Sequence, residues 1–177
     1  MFKKQFLGVV FLIVLTLPIN SYAINNSTDN YYLESLKTYN KKAPVLIPKY
    51  IPKGFTVKSL DIHLSKEKGI GDGDNYSIKY TNSNLVEFSI ISANGGFGGL
   101  GYSGSINFKS KFGNITMYIE PIEFTPDGGK QKLDNEIFTE WFTYKNQFFM
   151  FSTKGSYDSK RLSKDESIKI INSLTNL

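Results

Sequence analysis

Apolar and polar residues change rhythm along this chain, and each rhythm predicts an element. The first is an apolar run from Phe6 to Leu17, set behind Lys3 and Lys4 and ahead of Pro18-Ile19-Asn20-Ser21-Tyr22-Ala23. A positive end, a hydrophobic core and small residues at the −3 and −1 places are the layout of a secretory signal peptide. The run is shorter than the roughly 20 residues a membrane span needs, and no stop-transfer segment follows. Residues 1–23 are therefore expected to be a cleaved leader, with Ile24 as the mature N-terminus. Residues 24–43 are polar, but Tyr32, Leu33, Leu36 and Tyr39 recur at three- and four-residue steps, the spacing of a short helix. Pro44, Pro48 and Pro52 then forbid helix and central strand alike. The stretch from Ala43 to Gly54 should run extended, with Val45, Leu46, Ile47, Tyr50 and Ile51 turned inward.

From Phe55 onward the apolar period shortens to two, the period of strands. Phe55, Val57, Leu60, Ile62 and Leu64 alternate with a slip near Ser59, which predicts a bulge. Tyr76, Ile78 and Tyr80 alternate, turn through Thr81-Asn82-Ser83-Asn84, and continue as Val86, Phe88 and Ile90, the clearest hairpin in the chain. Ile106 and Phe108 pair in pattern with Ile115, Met117 and Ile119 around a turn at Phe112-Gly113-Asn114. Phe138, Glu140, Phe142 and Tyr144 share one phase and predict the next strand. Phe148 to Thr153 predicts the last, joined through Lys145-Asn146. Finally Ser163-Lys164-Asp165-Glu166 reads as a capping box, in which Glu166 would return to the serine's own amide. Behind it Ile168, Ile171 and Leu174, with Ile170, form the apolar stripe of a helix. The expected fold is α+β: a curved antiparallel sheet of about six or seven strands with one C-terminal amphipathic helix packed on it, forming a single domain over 44–177.

Composition supports a strand-rich, exported object. Of 177 residues, 23 form the leader, so 154 remain, enough for one domain with its own core. Aromatic residues are 15% of the chain, a mixture that favours pleated, half-buried surfaces. There is no cysteine, which removes thiolate metal sites, cysteine nucleophiles and a lipid-modified N-terminus. An exported domain without disulfides points to a bacterial envelope, periplasmic or extracellular. The formal charge is +5, two units of which leave with Lys3 and Lys4. The remaining lysines are scattered among acids, so no nucleic-acid face is expected. No transmembrane segment is expected after the leader is removed.

Candidate chemistry is sparse. Gly96-Phe97-Gly98-Gly99-Leu100-Gly101 satisfies G-x-G-x-x-G, but a β-type run follows it where a dinucleotide site needs a helix. The glycines read instead as backbone freedom, either a mobile loop or a sharp bend in the sheet. Phe97, Leu100 and Tyr102 make that stretch a candidate contact for a partner. Asp72-Gly73-Asp74-Asn75 begins like a calcium loop, yet Tyr76, Ser77 and Asn84 occupy places that need a ligand, a glycine and a glutamate, so a solvated turn is expected. His63, the one histidine, should face solvent, opposite Ile62 and Leu64. Glu120, Glu123 and Glu140 lie in or beside strands, and Glu140, in phase with Phe138 and Phe142, should be partly buried. Trp141 should pack on the other face of that strand or under the helix. No catalytic residue, metal ligand or cofactor is expected.

Two patches resemble a known family. Pro44-Val45-Leu46-Ile47-Pro48-Lys49-Tyr50-Ile51-Pro52-Lys53-Gly54-Phe55 is similar to the "P-x-Leu-Pro-x-Gly-Tyr/Phe" opening of an uncharacterised exported bacterial domain found C-terminal in anti-sigma and sporulation proteins. The chain also closes as that domain does, with a Trp/Phe-rich strand, a Phe-x-Phe strand and a capped helix over Leu162 to Leu174. The order of parts matches over Pro44 to Leu174. The resemblance implies an extracytoplasmic, non-catalytic α+β domain, related in shape to half-barrel lipoprotein carriers, and carries over no functional residues. The glycine-rich stretch is a departure from it. The expected function is binding, sensing or scaffolding in the envelope, with an envelope protein as partner. An alternative is carriage of an apolar ligand in a cavity between sheet and helix. A carbohydrate-active enzyme would need a second carboxylate about 5–9 Å from the first.

Overall fold

The computed structural model describes residues 27–64, 73–94, 101–124, 130–132, 136–155 and 161–177. Helix α1 (Ser27–Asn40) leads into β1 (Leu46–Pro48), β2 (Thr56–His63), β3 (Asn75–Thr81), β4 (Glu87–Ala93), β5 (Gly101–Ser110) and β6 (Gly113–Phe124). There follow β7 (Lys130–Lys132), β8 (Glu136–Thr139), β9 (Phe142–Tyr144), β10 (Gln147–Lys154), α2 (Lys164–Ser173) and β11 (Leu174–Asn176). The fold is α+β and the pairing antiparallel throughout. The main sheet is open and runs β2-β3-β4-β10-β8-β6-β5, with β7 beside β6 and β9 beside β10, while β1 and β11 form a separate pair. This is more strands than the six or seven expected; of the two helices, α1 falls where the spacing in 24–43 predicts a short one and α2 where the C-terminal stripe predicts its helix. The additions are short: β1, β7, β9 and β11 have three residues each, too few for alternation to reveal.

Where alternation was long it predicted well. The slip near Ser59 is a register shift between Val57 and Ser59 against β3. The hairpin of β3 and β4 closes through Asn82, whose Oδ1 accepts from the amides of Asn84 and Val86. Leu85 there takes a left-handed φ of 60°. Lys145 and Asn146 are both left-handed, at φ 49° and 64°, the conformation that a two-residue hairpin turn demands.

One buried cluster joins every layer. Phe88 and Ile90 of β4, Ile115 and Met117 of β6, and Phe149 and Phe151 of β10 meet Ile170 and Ile171 of α2 and Leu174 of β11. Leu36 and Tyr39 of α1 and Leu46 of β1 belong to the same cluster. Ser163 caps α2, its hydroxyl accepting from the Glu166 amide at 3.1 Å. The helix stripe differs in detail from the expectation. Ile170, Ile171 and Leu174 are fully buried, whereas Ile168 is half-buried. The Glu166 carboxylate accepts from the Tyr50 hydroxyl, which ties α2 to the proline segment. That bond raises the Tyr50 phenol above its ordinary value.

The pair β1–β11 explains an unusual tyrosine. Ile47 faces Thr175 across the pair, so Leu46 turns its amide and carbonyl away from β11. Both are met by one atom: the Tyr76 hydroxyl accepts from Leu46 N at 2.7 Å and donates to Leu46 O at 2.9 Å. Tyr39 packs edge-on against Tyr76, with ring centroids 5.4 Å apart, but its buried hydroxyl finds no hydrogen bond. No helix among the described residues is long and apolar enough to cross a membrane.

Candidate functional site

A departure from strand geometry at Glu140–Trp141 opens a cleft among the described residues. Strands β8 and β9 are two pieces of one track along β10, with Phe138 opposite Ser152 and Phe142 opposite Phe149. The track advances four residues while β10 advances three. One residue is therefore extra, and the strand bulges. The side chains change face across it. Ile137 and Thr139 point to the main core before the bulge, and Phe142 does so after it. The expectation of a single phase through Phe138, Glu140 and Phe142 is thus corrected: Phe138 lies on the opposite face, against Tyr118 at a centroid distance of 5.9 Å.

Glu140 is corrected with it. It shares the outward face of Phe138 ahead of the bulge, and the residue is exposed. It accepts a hydrogen bond from the Tyr118 hydroxyl at 2.6 Å. Its amide donates to Thr116 O at 2.9 Å. Strand β8 pairs with β6 at Met117 and Tyr118, and this bond at Thr116 continues the contact. Past it, β9 pairs with β10 alone among the described strands. Strands β6 and β9 splay, and a cleft opens between them.

The cleft has a volume of about 280 Å³ and is lined by Phe112, Asn114, Ile115, Thr116, Glu140, Trp141, Phe142 and Thr143. Its rim is held by the hairpin of β5 and β6. Ser110 Oγ accepts from the Phe112 amide at 3.0 Å, and Gly113 supplies the left-handed φ of 105° that closes the turn. The hairpin tip folds Phe112 against Phe142 and Tyr144, with centroids 5.2 and 5.7 Å away. Lys111 lies over the Phe112 ring at 5.3 Å. Burial, with Lys49 nearby, lowers the Lys111 ammonium below its ordinary value. The exposed lining of the cleft is mostly polar, with hydroxyl and amide side chains that both donate and accept and, among the described residues, one carboxylate.

The residues singled out from sequence fall elsewhere. Phe97 and Leu100 lie outside the described residues, as do Asp72 and the side chains of Glu120 and Glu123. Tyr102 lies in β5, and its side chain is likewise undescribed. Gly101 to Gly104 are strand, with register irregularities on either side of Gly104, so this part of the glycine run distorts the sheet edge. His63 is exposed. Asp74 offers its backbone carbonyl to Gln147 Nε2 at 3.2 Å. Among the described residues no three His, Cys, Asp or Glu side chains gather as a metal site. Trp141 was legible as a lone tryptophan, but not as a cleft residue. The signal was present: an acid in the core phase beside an aromatic in the surface phase is a misfit that a one-residue bulge resolves.

Compared with known proteins, the chain matches no family model, no curated protein and no solved structure.

Proposed function

We propose that this chain is an exported, non-catalytic binding domain and that the cleft between β6 and β9 is where it holds its ligand. The single observation that carries the reading is the bulge. It interrupts a central strand track and turns the one tryptophan and a carboxylate towards the same opening. Bulges of this kind re-aim side chains beside functional sites, and tryptophan is enriched, with tyrosine and arginine, among the residues that carry binding energy. Export is read from the leader-like residues 1–23, which support a periplasmic or extracellular setting. The resemblance over Pro44 to Leu174 supports the same setting.

Two features favour binding over the alternatives. Among the described residues the cleft lining carries one carboxylate, Glu140, whereas glycoside hydrolysis uses a pair. An apolar carrier needs room between sheet and helix, and Ile170, Ile171, Phe149 and Phe151 there are fully buried in one cluster.

Trp141 is the only tryptophan, so its fluorescence reports on the cleft without labelling. The mature protein should be titrated with soluble peptides, saccharides and fatty acids in turn. A saturable change in emission with one of these classes, lost in Asn114→Ala together with Thr143→Ala, is the expected result. Undisturbed emission in the presence of a ligand that the protein demonstrably binds would place the site elsewhere.

A further inference from the structure

Strand β2 closes one side of the main sheet, and among the described strands it pairs with β3 alone. Which of its backbone groups face outward follows from β3. The Tyr76 amide donates to Ser92 Oγ, on the β4 side. Backbone groups of successive residues point to alternate sides of a strand, so Ser77 serves β2 and bonds Asp61 opposite it. The amides and carbonyls of Leu60, Ile62 and Leu64 therefore point away from the sheet. Such an edge is a template for another strand, and proteins guard it with bulges, lysines and prolines. Here the guard covers only the first half of β2. The register shift between Val57 and Ser59 carries Lys58, which is tied to Glu87. From Leu60 to His63 the register is unbroken, with neither lysine nor proline through Leu64.

We infer that this edge pairs with the same edge of a second copy of the chain, antiparallel and centred on Ile62. The side chains choose both partner and register. Leu60 and Ile62 lie half-buried against the core, and Leu64, in the same phase, is 41% exposed. Asp61 and His63 lie exposed on the other face, and among the described residues neither belongs to an ion pair. A two-fold axis at Ile62 sets Leu60 against Leu64 of the second copy, and Asp61 against its His63, each contact occurring twice. The Asp–His positions are non-hydrogen-bonded pairs, whose Cα atoms approach to about 4.5 Å and whose side chains meet most closely. There an imidazole N–H donates to the carboxylate. Moving the axis by one residue keeps the backbone bonds but loses the match: centred on Asp61 it sets acid against acid, and centred on His63 imidazole against imidazole. A strand from an unrelated protein would have to repeat the order apolar, acid, apolar, base, apolar that this segment supplies to itself. The cleft lies beyond β3, β4 and β10 from this edge, so pairing leaves it open in both copies.

Sedimentation equilibrium of the mature protein over a concentration series, joined to amide hydrogen exchange, tests the pairing. A monomer–dimer equilibrium is expected. The amides of Leu60, Ile62 and Leu64 should gain protection as concentration rises, while those of Asp61 and His63, bonded within the sheet, keep theirs. His63→Asp sets acid against acid at two places and is expected to weaken the dimer about tenfold. Asp61→His combined with His63→Asp restores unlike pairs and should bring affinity back to within about threefold of the unaltered chain. Both positions are exposed, so the variants should melt with the unaltered chain at dilutions where all are monomeric. A chain that stays monomeric throughout the series, even one that takes up a strand of another protein, would overturn the pairing. So would a dimer that resists His63→Asp. A dimer that the double exchange fails to restore would overturn the register centred on Ile62, and the proposal with it.

Discussion

Two neighbouring tyrosines show how differently one residue type can be used. Tyr76 and Tyr39 are both buried and in ring contact. The Tyr76 hydroxyl satisfies the amide and the carbonyl of Leu46 at once, whereas that of Tyr39 is buried without a bond. Tyr76→Phe orphans two buried backbone groups and is expected to cost about 1–3 kcal/mol for each. Tyr39→Phe removes an unsatisfied hydroxyl and is expected to be neutral or slightly stabilising. Urea melts of the two variants at neutral pH check the contrast. Alkali adds a second readout. Burial pushes the Tyr39 phenol up to about 12 from its ordinary 10.0, and raises Tyr76 further. The unfolded chain then releases these protons before the folded one does. The contribution of Tyr39 is complete below pH 10 and is lost as pH rises from about 10 through 12, while that of Tyr76 goes on being lost above this range. Tyr39→Phe should flatten that decline, and an unchanged slope in pH-dependent melts would contradict the burial of its hydroxyl.

At the scale of elements, α2 is fixed at its start by a cap and along one side by a stripe. Ser163→Ala removes the acceptor for the Glu166 amide and is expected to cost about 1 kcal/mol. Ile171→Ala opens a cavity at a fully buried position and is expected to cost about 2–5 kcal/mol. Thermal melts insensitive to both would mean that the helix is not part of the cooperative core. This helix was legible in the sequence because cap and stripe are local signals. So were β3, β4 and the slip in β2, where alternation persists for seven or eight residues. The three-residue strands were not, since pairing between Leu46–Pro48 and Leu174–Asn176 depends on a contact across most of the chain. Capping-box logic supplied a partner for Glu166 from within its own turn, but tertiary structure brought Tyr50 to it instead. The cleft failed to show for a related reason. Reading Phe138 to Tyr144 as one strand assumed an unbroken period, and a single extra residue reverses the face of everything after it.

On the scale of the whole molecule, the packed core and the cleft are two consequences of the same sheet. Its strands pair closely from β3 through β10, and Phe88, Phe149 and Phe151 fill the face that α2 covers. Where β8 gives way to β9, the pairing with β6 lapses and an opening appears at the rim, lined by Ile115 and Phe142 of the core and by Asn114, Thr116, Glu140, Trp141 and Thr143 outside it. On the proposed reading, stability and binding are separable: substitutions at Asn114, Thr143 or Trp141 should alter recognition far more than folding, and those at Phe151 or Ile171 the reverse. The central claim is that this molecule meets its ligand at the bulge-built cleft. The measurement that tests it most directly is an amide NMR footprint of the ligand-bound mature protein. Shifts that saturate together at Asn114, Thr116, Trp141 and Thr143, with β3 and α1 unmoved, are the result the account predicts. A footprint centred on the β5 edge or the proline segment, with those four amides still, would contradict it.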